Sequence, residues 1–157
     1  MVHNFLILSW ALVFFSCANI KKKSNVLETS PSIVQAITDK TILYWKYSLD
    51  NVAKAVNKKN EIDEIKYEFE KQIKSNIKNT YYNLTESCHK QDLLLLDNLV
   101  NVSLELVRNN DSGKIGEAFS TLTKDIQQSC KETWFNWFIT CEDTMKNLIY
   151  KYYTPTP

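Results

Sequence analysis

Cys88 and His89 stand side by side, and with Cys130 and Cys141 they are the residues of this 157-residue chain best suited to nucleophilic or metal chemistry. A thiol next to an imidazole suggests an activated thiolate. Adjacent residues of a helix, however, point about 100° apart, and no electropositive setting surrounds this pair. Together the three cysteines and the imidazole have the donor types of a zinc site, but the close ligand pairs that such a site needs are missing. Asp and Glu are abundant, yet those from Glu61 to Glu70 sit on what reads as a solvated helix face. A general acid–base pair wants apolar neighbours that shift a pKa. Gly113 and Gly116 follow no strand-like run and so form no phosphate loop. The sequence therefore offers no catalytic residues, no metal ligands and no cofactor site, and the expectation is a protein that is not an enzyme.

What the cysteines do depends on compartment. Phe5 to Phe15 is an apolar run broken only by Ser9, and Ser16-Cys17-Ala18 then puts small residues where a signal peptidase reads. The run is shorter than the roughly 20 residues that cross a bilayer, so it reads as a signal peptide cleaved after Ala18. Two features pull the other way: Lys21 to Lys23 follow the run, as they would behind a retained anchor, and Phe14-Phe15-Ser16-Cys17 loosely resembles a lipobox. Export places the remaining cysteines in an oxidising environment. In one helix Cys130 and Cys141 would lie about 16 Å apart, beyond the roughly 7 Å that bridged Cα atoms allow. Cys88 is thus the shared partner, and an antiparallel return of the chain brings Cys130 back to it. Cys88–Cys130 is the expected disulfide, with Cys141 a buried thiol or the link of a disulfide-joined homodimer. Export also gives meaning to three glycosylation sequons, at Asn83, Asn101 and Asn110, of which Asn83 is the foremost acceptor.

Glycine and proline are so sparse that nearly everything from Pro31 to Tyr153 is free to be helical. Ser30-Pro31 opens a first helix whose apolar stripe runs from Ile33 through Ile37, Tyr44, Leu49 and Val52 to about Asn57. A second is expected from Asn60 to Cys88 on Ile62, Ile65, Phe69, Ile73, Ile77 and Leu84. The leucine-rich span from about Asp92 to Arg108 should be the most buried element, closed by Asn109-Asn110-Asp111-Ser112-Gly113. The last helical region, from Phe119 to Tyr152, would be far longer than its neighbours, and Ser129 with Glu132 reads as a capping box that breaks it. No strand-period alternation of useful length and no internal repeat appears.

These elements make a small all-α, disulfide-stapled antiparallel bundle of four or five helices. Its parts are a signal peptide (1–18), a polar leader (19–29), the bundle (30–153) and a short tail (154–157). Net charge is +1, the lysines are interleaved with acids, and Arg108 is the sole arginine, so there is no footprint for nucleic acid and no membrane span after cleavage. Tyr44, Trp45, Trp134, Trp137 and Phe138 are the aromatic resource. Core packing claims most such rings, but one helix can bury only part of Trp134 to Phe138, so that block either serves two neighbouring helices or leaves a ring exposed. Two functions fit: an extracellular protein that binds a protein partner in an effector, cytokine-like or antagonist role, and a carrier of a small apolar ligand held between helices.

Overall fold

The computed structural model describes residues 30–56 and 59–153; the expected signal peptide, leader and tail lie outside the described residues. Within them are six α-helices, one 3-10 turn and no strand. They are α1 (Ser30–Val56), α2 (Lys59–Lys74), α3 (Ile77–Ser87), α4 (Lys90–Arg108), α5 (Ile115–Leu122) and α6 (Gln128–Tyr153), with the 3-10 turn Ser112–Lys114 ahead of α5.

Ion pairs set the relative directions of the helices. Lys46 pairs with Glu70 and Lys66 with Asp50, so α2 runs back along α1. Lys40 pairs with Asp97, and the Asn51 side chain donates to the Val107 carbonyl, so α4 runs the same way as α1. α6 also runs the same way as α1, since Thr41 meets Trp134 and Trp45 meets Phe138, so α1, α4 and α6 share one direction against α2, and the short α5 segment returns the chain toward the start of α6. α1 lies at the centre and packs on α2, α3, α4 and α6. Its buried Val34, Ile37 and Leu49 join Phe69, Leu84, Leu96, Leu99 and Trp134 in one core. Thr38, Thr41 and Ser103 are buried too, and each hydroxyl donates to a carbonyl three or four residues back in its own helix. None of these three hydroxyls is left unpaired.

Three boundaries depart from the sequence reading. The expected second helix, Asn60 to Cys88, is two helices. The Ser75 hydroxyl donates to the Gln72 carbonyl at 2.6 Å, a local bond that competes with the helical ladder and ends α2. The expected break at Ser129 lies instead at residues 123–127, and Ser129 sits inside α6 with its hydroxyl donating to the Ser87 carbonyl. The leucine-rich helix begins at Lys90 rather than Asp92, because His89 caps it in a reciprocal box with Asp92. It ends as expected at Arg108. There Asn110 takes the left-handed conformation (φ 58°), Asp111 N–H donates to the Leu106 carbonyl, and Asn110 N–H donates to that of Val107. This is a Schellman closure with asparagine in the place glycine usually fills.

One corner of the bundle is held three ways. Cys88, just past α3, and Cys130, in the first turn of α6, are disulfide-bonded with Cα atoms 4.6 Å apart. The Asp92 carboxylate, 4% exposed, accepts from the backbone N–H of His89 and from that of Gln127. The Thr133 hydroxyl bonds to the Ser87 hydroxyl at 3.0 Å. Together these fix where α6 starts, and so where its aromatic residues lie.

Candidate functional site

Four of the five candidate binding aromatics are core residues. Tyr44, Trp45, Trp134 and Phe138 are 7%, 6%, 2% and 8% exposed, so none presents a ring to a partner, and Trp137 is half-buried. The reason is register. Trp134, Phe138 and Cys141 lie on the stripe of α6 that faces α1, where Trp45 packs on Phe138 at 4.7 Å and the Trp134 indole N–H meets the Thr41 hydroxyl at 3.5 Å. Phe135 and Ile139 are rotated off that stripe and are 42% and 38% exposed. In this i, i+4 pair Phe135 is the exposed ring, so of the two outcomes open to the Trp134 to Phe138 block the structure takes the one that leaves a ring outside.

Phe135 stands at the mouth of a cleft between α5 and α6. Phe119 of α5 joins the surface to the core, with ring centroids 6.4 Å from Phe135, 5.5 Å from Trp134 and 5.4 Å from Phe138. Leu96 and Ile126 complete an apolar floor, and the cleft has a volume of about 500 Å³. Its rim is electrically balanced by Lys131 and Glu132, the latter accepting from the Gln128 amide at 2.8 Å. The cleft is open to solvent. It offers dispersion contacts and burial of apolar area on its floor, with the charged pair confined to the rim.

A smaller groove lies between α2 and the end of α6, lined by Asp63, Glu64, Tyr67, Glu68 and Tyr152. In a further cleft, lined also by Lys54 and Asp63, Arg108 sits over the Tyr47 ring at 5.0 Å and Lys66 pairs with Asp50.

The disulfide removes the thiol that could have paired with His89 and also breaks up the three-thiol, one-imidazole set. His89 spends its side chain on capping α4. Cys141 is a free thiol with no exposed surface, so a disulfide to a second copy through it would require the α1–α6 contact to open. That geometry leaves the buried-thiol role and removes the basis for a Cys141-linked homodimer. Asn83, Asn101 and Asn110 are all exposed. Among the described residues no helix is long and apolar enough to cross a membrane. No family model, curated protein or solved structure matches the chain.

Buried groups on the α1–α6 contact give it an alkaline limit. Burial pushes the Cys141 thiol up to about 12. Burial likewise raises Tyr44 to about 12, assisted by the Glu142 carboxylate and opposed by the Ser48 hydroxyl. Both groups hold their protons more tightly when folded, so their contribution is whole below the ordinary values of 9.0 and 10.0 and is lost as pH rises toward 12. Stability should fall by about 1.4 kcal/mol per pH unit per group through that window. Urea midpoints at pH 8 and 10 measure it. Cys141→Ala should flatten the loss, and equal midpoints in the unsubstituted protein would contradict the assignment.

Proposed function

We propose that this is a secreted, N-glycosylated helical protein that acts by binding an extracellular protein partner, and that the α5–α6 cleft receives an apolar side chain of that partner. The observation that carries the reading is the pairing of exposed Phe135 and Ile139 with a cleft floored by Phe119 and Trp134. Rigid aromatic anchors next to a small pocket are the usual makings of an interface hot spot. Export is supported by the apolar run and small residues ahead of Asn19, and by a disulfide of the kind that persists outside the cytosol. The balanced rim suits a neutral contact, in keeping with a chain whose charges are interleaved.

The test is a screen of the secreted protein against displayed extracellular receptor domains, repeated with Phe135→Ala. A true partner should lose at least about 10-fold in affinity, or roughly 1.4 kcal/mol, while the variant's melting point stays close to that of the parent. A partner that binds Phe135→Ala and Ile139→Ala undiminished would move the interface off this cleft. The aromatic floor also supports a second reading, that the cleft carries a small apolar ligand. Native mass spectrometry that finds a lipid or other apolar molecule co-purifying, and lost on Phe119→Ala, would favour the carrier over the binder.

A further inference from the structure

The seam between α3 and α6 contains a second cleft of different chemistry. Two helices that pack side by side ordinarily close their seam with apolar side chains. Here α3 contributes Asn76, Asn79 and Asn83 at spacings of three and four, and α6 answers with Thr133, Asn136 and Thr140 at the same spacings. Half-buried Trp137 lies among them, and the groove measures about 510 Å³, more than a disaccharide occupies. Asn79 donates to Asn76 at 2.7 Å and Thr133 is engaged with Ser87 and Ser129. The side chains of Asn83, Asn136 and Glu86 make no hydrogen bond within the described residues. Glu86 is the one charged residue on the lining, and no lysine or arginine faces the groove. Amide groups with free donors and acceptors, set beside an indole and away from cations, match the hydroxyls and the C–H face of a pyranose ring and not an anion.

The sequence puts such a ring in place. Asn83, exposed on the wall of the groove, opens the sequon Asn83-Leu84-Thr85. We propose that the N-linked glycan of Asn83 folds back into this groove, its first N-acetylglucosamine units seated against Trp137 and hydrogen-bonded to the Asn136 amide. The glycan then bridges α3 and α6 beside the disulfide. Its attachment is the work of the secretory machinery on the unfolded chain: Asn83 Nδ2 displaces the lipid pyrophosphate from the anomeric carbon of the donor sugar, and the amide proton leaves with the pyrophosphate. This inference rests on the export and glycosylation proposed above, and adds to them a seat for the sugar.

The experiment uses the full chain secreted from a eukaryotic host with isotope-labelled glycans, as the parent and as Trp137→Ala, Trp137→Phe and Asn83→Gln. Glycopeptide mass first reports whether Asn83 is occupied. In the parent the N-acetyl methyl signals of the Asn83 glycan should be shifted upfield by the indole ring current. In Trp137→Ala they should return to the positions of a glycan free in solution while the attached mass is unchanged, and Trp137→Phe should retain part of the shift in a protein that keeps its packing. An occupied Asn83 with the same signals in the parent and in Trp137→Ala would overturn the seat and leave the glycosylation reading standing. An unoccupied Asn83 would overturn the seat, and glycosylation itself would fall only if Asn101 and Asn110 were empty as well.

Discussion

A Cys88→Ala, Cys130→Ala double variant is expected to lose about 4 kcal/mol of stability and to melt about 15 °C lower than the parent. The bridge spans a sequence separation of 42 residues, and opening it returns that loop's freedom to the unfolded chain. The folded corner should change little. Asp92 still receives the N–H groups of His89 and Gln127, and Ser87 still meets Ser129 and Thr133. Replacing both cysteines avoids leaving a lone thiol to exchange with Cys141. Thermal and urea unfolding of the two proteins measure the difference. A loss below about 1 kcal/mol would mean that the unfolded chain is already held compact around this loop and that the hydrogen-bonded corner carries the closure.

Trp134→Ala should cost a similar amount, about 4 kcal/mol, for a different reason. The indole is 2% exposed, contacts Phe119 and Phe138, and donates to the Thr41 hydroxyl. Truncation leaves a cavity at the point where α1, α5 and α6 meet. Its neighbour Phe135, with its ring 42% exposed, should cost about 1 kcal/mol or less on truncation. Two adjacent aromatics of one helix are thus separable, one by the urea midpoint and the other by partner affinity. Similar midpoint shifts for Trp134→Ala and Phe135→Ala would mean that the register of α6 is wrong.

The legibility of this fold in its sequence followed the range of the interactions. α1 was readable end to end because Pro31 at its start and the Ile33 to Val52 stripe are local signals, and they agree. The end of α4 was readable from Asn109-Asn110 for the same reason. The break between α2 and α3 was hidden, since Ile73 and Ile77 keep the apolar spacing across Ser75-Asn76 and mask the local bond that stops the helix. The last helix was legible from about Cys130 and begins two residues earlier, at Gln128, because its support is remote: Gln127 N–H is taken by Asp92, 35 residues earlier, so Ser129 is free to reach Ser87 instead of capping its own helix. At the site, the crowding of Trp134 to Phe138 allowed either a second helix to take the surplus or a ring to be left outside, and spacing alone did not choose between them. Rotating Phe135 and Ile139 off the Trp134, Phe138, Cys141 line would have named them. Phe119 as their partner depends on how α5 returns over the core, which no spacing along the chain reveals. The neutral, amide-lined groove beside Asn83 was likewise invisible until α3 and α6 were set side by side.

The Cys88–Cys130 bridge also makes a covalent ring of everything between those residues: α4, the 3-10 turn, α5 and the loop behind it. A single cut in the exposed turn around Asn110 and Asp111, or in the loop ahead of Gln128, therefore divides the backbone without dividing the molecule. The two pieces stay joined at sulfur, and the corner tied by Asp92 keeps them in register. Cuts elsewhere release a fragment. Against a protease, the part of the chain that carries Phe119 to the aromatic cleft is the part that can be nicked and still remain attached.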